Sequence, residues 1–484
     1  MLIGVLLVGG YFRALRLTNW DDDTGQHPDE RFFTDVASNV RLPASLGELY
    51  DAARSPLNPR SYEQYPLYVY GPFPIYLTRL VAVAITPNDG PSGPVLLEQV
   101  RSINGPPRLG ADPNYPDQIH TDYGPLVDNP ERAVPKLTPL IALFNPDGVN
   151  LTVYGQINKV GRALALIFDL GSVLLVFLIG RRLFDERVGL LASAFAALAV
   201  MQIQQSHFFV DPIFSTFFAL LALYWAVRVA QGGAWPSYVA VGVSIGAAMA
   251  NRITLATLGL VVLVAACLAA FRAVRSLSDS WQLSVASFQD LLWQFLTREL
   301  PLLVLAGAVT LLSFRTLAPD AFSGSLSDSP DVAGARVLDN DLFQGKGFFD
   351  IRPEPRFVAN LETVRTLVSG ETDYPPGQQW VARPPYTFAW GNMVFWGMGL
   401  ALGLSAWAGW LGFAIVALWR GRRQEDSAFG PQPLALGSSH AAWVLFIWVA
   451  FYFGWQGAQF AITMRYLLPI YGALIVFAAW LLVR

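Results

Sequence analysis

Long apolar stretches constrain this chain more than any other feature, among them residues 163–180, 188–201, 213–230, 253–271, 300–314, 441–455 and 466–483. About 20 apolar residues span a bilayer as a helix, and ten such helices would use roughly 200 residues. Composition agrees: 53% of the 484 residues are apolar and only 14% are Asp, Glu, Lys or Arg, against about 25% charged in soluble domains. An ordinary soluble enzyme, a secreted disulfide scaffold and a disordered chain are thereby excluded. The net charge of −3 offers no basic surface for nucleic acid. Cys267 stands alone inside an apolar stretch, which leaves no disulfide and no thiolate metal site. The first 18 residues are apolar without a basic n-region or a small-residue cleavage site, so a retained helix is expected there. The expected fold is an all-α polytopic membrane protein with one membrane domain over residues 1–484.

Arginine-rich short loops stay cytoplasmic. Three connections qualify, Arg181 to Arg187, Arg272 to Arg298 and Arg420 to Arg423, with Arg228 and Arg484 on the same face. Helices are then expected at 2–18, 158–180, 188–203, 212–230, 236–250, 253–271, 300–317, 388–418, 441–456 and 461–483, about 10–11 spans in all. Helix 388–418 is long enough to tilt or to project from the bilayer. The opposite, extracytoplasmic face receives a first loop at 19–157, the turn at Asn251-Arg252 and a second large loop at 318–387. Residues 66–86 break this parity, and Pro66, Pro72 and Pro74 interrupt their start. They read as a re-entrant or interfacial jaw helix; a plain second span followed by a third is the alternative. Arg13 and Arg16 end the first helix on the outer side, where they snorkel to headgroups or face a phosphate.

The residues that a membrane protein would not keep without reason collect on that outer face. Asp21, Asp22, Asp23, Asp29 and Glu30 place five carboxylates within ten residues. Crowded carboxylates raise one another's pKa, the environment a general base needs. Pro28 suits the first turn of a helix, with Asp29 and Glu30 in its opening turn; a simple acidic helix start is the alternative. His207 and Asp211 flank a second outer turn, where Asp211 could serve only as an N-cap. Arg252 lies at a third site, and Arg465-Tyr466 opens the last helix, where a guanidinium opposes the helix dipole and suggests an anionic partner. Phosphate fits, since arginine binds it bidentately; interfacial snorkelling is the alternative. Within the membrane, Asp169 follows Arg162 by seven residues on one helix face and reads as a structural polar pair. His120, Asp122 and Tyr123, and Glu371, Asp373 and Tyr374, form polar–aromatic clusters of the kind that grip sugars, and equally are common in loops.

His27-Pro28-Asp29-Glu30, directly after a first membrane helix, resembles the acidic motif of the GT-C glycosyltransferases. These polytopic enzymes take sugars from polyprenyl-phosphate donors. The likeness is to the family 39 group, which includes protein O-mannosyltransferases, lipid A aminoarabinose transferases and related bacterial proteins. It is supported by Gly161-Arg162 through Phe184, by Ser206 to Asp211 and by Met464 to Tyr471, in that order. It covers residues 2–85 and 155–484, whereas the 86–150 insertion and the 318–387 loop match nothing in it.

The resemblance implies that Asp29 is the catalytic base and Glu30 its neighbour in the same cavity. Asp211 would be the acid of the following outer turn, and Arg465 would lie near the lipid phosphate. Arg252 joins Arg465 as a phosphate ligand on topology alone, and His27, His207 and Tyr466 are expected to line the cavity. The implied reaction is an inverting transfer from a polyprenyl-phosphate sugar to an unidentified acceptor. It would run in a bacterial inner (plasma) membrane, on the extracytoplasmic face. No metal site or other cofactor is expected, although the 21–30 stretch could hold a divalent ion. Two other classes stay open: a transporter or flippase for a lipid-linked sugar, and a structural subunit of an envelope complex.

Overall fold

Where the apolar stretches lie, the chain is helical. The computed structural model describes every residue except 23, 44, 53–54, 63, 66, 88–130, 132–133, 276–284, 324–346, 373–374 and 426–439. The elements that place the site are α1 (Leu2–Ala14), α2 (Pro28–Asn39), α3 (Phe73–Ala84), α4 (Ile157–Leu183), α5 (Glu186–Leu198), α6 (Val200–Ser206) and α7 (Asp211–Ala230). They continue with α8 (Trp235–Asn251), α9 (Leu258–Arg275), α10 (Leu300–Leu317), α11 (Leu400–Glu425), α12 (Ala442–Gln456) and α13 (Leu468–Val483). Six helical segments among the described residues are long and apolar enough to cross a membrane, or seven if α5 and α6, bent by 55°, form one broken span. The protein is an all-α, multi-pass membrane protein, as its sequence leads one to expect.

The most apolar helix is the most enclosed, as a helix without a polar face must be: every residue of α13 from Leu468 to Ala479 is buried. It packs against α4, α5, α7 and α11, while α8 lies between α7 and α10. α4 and α13 also define the two ends of the bundle. α4 carries Arg162 in its second turn and Arg181 and Arg182 in its last, about 30 Å apart along the axis at 1.5 Å per residue. α13 follows Arg465 and is succeeded by Arg484, which pairs with Asp185 at 3.3 Å. The arginine-rich connections thus gather at one end and the acidic motif at the other.

Four expectations are corrected. Helix 388–418 is broken: Thr387–Asn392 runs into a π-turn at Met393–Gly397, and α11 starts only at Leu400. The break sits at Gly399, whose φ of 83° lies in the left-handed region that glycine enters freely. The first helix stops at Ala14, with Leu15 extended and Arg16 left-handed. Arg13 does not snorkel. It is fully buried, with its Nε 2.5 Å from Asp169 Oδ2 and Nη1 donating to the Ala197 carbonyl at 2.7 Å. Asp169 is therefore partnered by α1 and not by Arg162.

The jaw segment forms α3, whose 12 residues reach about 18 Å, well short of the roughly 30 Å of a bilayer core. Arg79 in its middle is bound by Glu131 at 2.6 Å. Beyond its C-terminal end the chain leaves and returns: Leu137 N–H donates to Ala84 and Asn145 to the Ile85 carbonyl. At the other end Gly71 N–H donates to Asn251 at 3.0 Å. A side chain at 71 would collide with that backbone at 2.2 Å, so only glycine lets the jaw dock beside Arg252.

Candidate functional site: two acid–arginine pairs at one end of the bundle

Pro28 opens α2, as its locked φ favours, and places Asp29 and Glu30 in the first turn. Successive helical residues are turned by about 100°, so the two carboxylates face different surroundings. Glu30 is clamped by Arg162, which reaches its two oxygens at 2.7 Å each, and its Oε1 accepts the Phe209 N–H at 2.8 Å. Arg162 also holds Asp21 at 2.9 Å. Glu30 is only 3% exposed. The expectation that it lines a cavity with Asp29 is therefore corrected: it ties α2 to α4 and to the turn before α7.

Asp29 points to more open ground. Its Oδ2 lies 2.7 Å from Arg465 Nη2, and the two side chains retain 18% and 23% exposure. Arg465 stands on the turn Met464–Leu467 that leads into α13. Its Nη1 also meets His27 Nε2 at 3.2 Å. A guanidinium only donates, so Nε2 accepts and the neutral ring carries its proton on Nδ1. Burial first, then the Arg465 charge, pushes the His27 pKa down to about 4 against a smaller opposing pull from Asp29. Nδ1 is buried and has no hydrogen-bond partner among the described residues.

A second pair completes the cluster. Asp211 is the first residue of α7, followed by Pro212, and its Oδ2 lies 3.2 Å from Arg252 Nη2. Arg252 follows α8 in an extended conformation. The Tyr466 ring joins the pairs, with the Arg252 guanidinium 4.5 Å and that of Arg465 5.7 Å from its centroid. Residues 29, 211, 252, 465 and 466, drawn from four separate parts of the chain, thus meet in one place. Tyr70, which sequence reasoning did not single out, belongs with them. Burial, and next the carboxylates of Asp29 and Asp211, hold its phenol protonated far above the usual range. The signal available was a tyrosine two residues before Pro72, which caps the jaw helix.

His207 does not join this set. It is fully buried, its ring nitrogens lie 2.7 Å from the Ile203 carbonyl and 3.1 Å from that of Leu15, and it stacks on Trp20 at 4.0 Å. Its place in the cavity is corrected to that of a brace between α6 and the end of α1. The mutual elevation expected of the carboxylates in 21–30 does not hold for Asp21. Burial alone would raise its pKa, but the hydrogen bond and charge of Arg162 outweigh that and lower it. Asp22 pairs with Arg16 at the surface at 2.6 Å. Among the described residues no three His, Cys, Asp or Glu side chains are grouped to hold a metal ion. Glu371 pairs with Arg365 at 3.4 Å on the surface; Asp23, His120, Asp122, Tyr123, Asp373 and Tyr374 lie outside the described residues. A cavity of about 660 Å³ lies apart from the cluster, and Arg187 is the one charged residue in its lining.

The model of a family described as dolichyl-phosphate-mannose-protein mannosyltransferase matches residues 147–292. The resemblance to the protein mannosyltransferases is borne out over that segment. The matched segment contains Arg162, His207, Asp211 and Arg252. Among solved structures, the chain is similar to the oligosaccharyltransferase of Archaeoglobus fulgidus in its apo form, at 15% identity and a TM-score of 0.46, over 100% of this chain and 50% of that one. It is also similar to AglB from the same organism in complex with an inhibitory peptide and a dolichol-phosphate, at 16% identity and a TM-score of 0.46, over 100% and 50%. A third similar structure is the A. fulgidus enzyme tethered to an acceptor peptide, at 15% identity and 0.48, over 100% and 49%. The chain spans about half the length of these proteins. No curated protein matches it.

Proposed function

We propose that the protein is a glycosyltransferase that moves a sugar from a polyprenyl-phosphate donor to an acceptor, inverting the anomeric centre. The observation that carries this reading is the meeting of Asp29, Arg465, Asp211 and Arg252 in one half-open cluster. The matching family, named for transfer from a lipid phosphate to protein, supports the donor class. Asp29 takes the proton of an acceptor hydroxyl or amine, and the freed electron pair forms a bond to C1 of the sugar. The bond from C1 to the phosphate oxygen breaks, and the polyprenyl phosphate leaves with those electrons on the opposite face. Arg465 and Arg252 stabilise its charge, as fixed cations do for leaving phosphates. Base catalysis of this kind contributes about 10²–10⁴-fold.

The position of the arginine-rich connections at the far end supports a site on the extracytoplasmic face, here of a bacterial inner membrane. The test is transfer by the purified protein in lipid nanodiscs, supplied with radiolabelled polyprenyl-phosphate sugars. Wild type transfers label, and Asp29→Asn does not. Undiminished transfer by the variant overturns the base assignment. Passage of label across vesicle membranes without transfer favours the transporter.

A further inference from the structure

The proposed reaction asks Asp29 and Arg465 for separate services, yet they are bound to each other at 2.7 Å. We infer that this pair is a latch opened by the donor: the polyprenyl phosphate draws Arg465 away from Asp29, and only then is the carboxylate free to take the acceptor's proton. The inference rests on the glycosyltransferase reading and adds to it an order of events, donor before acceptor.

Two features of the pair fit exchange. It is half-open, at 18% and 23% exposure, whereas Arg162 and Glu30 are 1% and 4% exposed in a saturated bidentate clamp. The further contacts of Arg465 are the neutral His27 Nε2 at 3.2 Å and the face of the Tyr466 ring, so leaving them strands no second charge. The charge count of the cluster also favours this order. Two aspartates and two arginines, Asp29 with Arg465 and Asp211 with Arg252, balance without a ligand. An arriving phosphate adds negative charge beside a carboxylate that has just lost its cation. A carboxylate so placed is driven to take a proton, and the acceptor's proton satisfies it. The latch thus withholds the base until a donor is seated, which protects the site from acting without one.

The test is a double-mutant cycle on binding of radiolabelled farnesyl phosphate to the full chain in nanodiscs. Variants are Asp29→Asn, Arg465→Gln and the two combined, each checked for unchanged melting, with Arg465→Lys as the charge-preserving control. Asp29→Asn should bind about tenfold more tightly, because Arg465 no longer has to be drawn from a carboxylate. In the Arg465→Gln background the same substitution should bring no gain, while Arg465→Lys should retain part of it. A gain of equal size in both backgrounds means plain repulsion by Asp29 and overturns the latch. Absence of tightening in Asp29→Asn also overturns it. If farnesyl phosphate and its longer polyprenyl homologues bind to none of the proteins, wild type included, the donor assignment itself fails.

Discussion

Asp29 and Glu30 are neighbours in one helical turn, carry the same functional group and each face an arginine, yet they occupy opposite kinds of environment. Glu30 has both oxygens filled by Arg162 and a further bond from Phe209 N–H, out of solvent. Among the described residues Asp29 has one ion pair, with Arg465, at the rim of a half-open cluster. Saturation converts a carboxylate into a fastener, because any change of its protonation or position breaks several buried hydrogen bonds at once. An incompletely enclosed pair can exchange partners at small cost. The comparison teaches that in this bundle charge alone does not mark chemistry; the unfilled capacity around it does.

The sharpest way to break the comparison is to swap the effects of the two acids. Asp29→Asn should lower transfer by about 10²–10⁴-fold while the melting temperature in detergent stays within a degree or two. Glu30→Gln should do the reverse, costing about 1–3 kcal/mol of stability by breaking the bidentate clamp of Arg162, which keeps Asp21 as its buried counter-charge. Thermal unfolding followed by size-exclusion chromatography reads the second, and nanodisc transfer assays the first. If Glu30→Gln melts like wild type and Asp29→Asn unfolds, the roles are reversed. Arg252→Gln should have a smaller effect, a rise of about tenfold in donor KM, since Arg252 is 17% exposed and its pair with Asp211 is longer at 3.2 Å. An unchanged donor KM would leave Arg465 as the sole cation of the site.

Much of this contrast was legible in sequence, and the missing part has a physical reason. The spans, the arginine-rich end and the His-Pro-Asp-Glu motif follow from local apolar runs and proline chemistry. Partners are not local. Arg162 and Asp169 share a helix face, but seven residues at 1.5 Å each separate them by about 10 Å, so their real partners come from α2 and α1. His207 was expected in the cavity because it shares the second outer turn with Asp211. Only the fold shows both its ring nitrogens facing backbone carbonyls, away from the cluster. The break at Gly399 hid inside a continuous apolar pattern, since a single glycine is compatible with a helix until packing decides otherwise.

The last expected effect concerns His27, which lies between the two environments. Its pKa is held near 4 in the folded protein, chiefly by burial and next by Arg465, whereas a free histidine titrates near about 6.5. Between these values the unfolded chain binds more protons than the folded one, so stability falls as pH drops from about 6.5 to 4 and levels off below. Carboxylates titrate in part of the same window, and His27→Gln separates them. The melting temperature of wild type relative to this variant should decline on acidification through that window and stay flat above it. A difference that stays flat or rises would mean that His27 gains its proton freely. Its Nε2 would then no longer accept from Arg465, and the Asp29 pair would stand without its neutral neighbour.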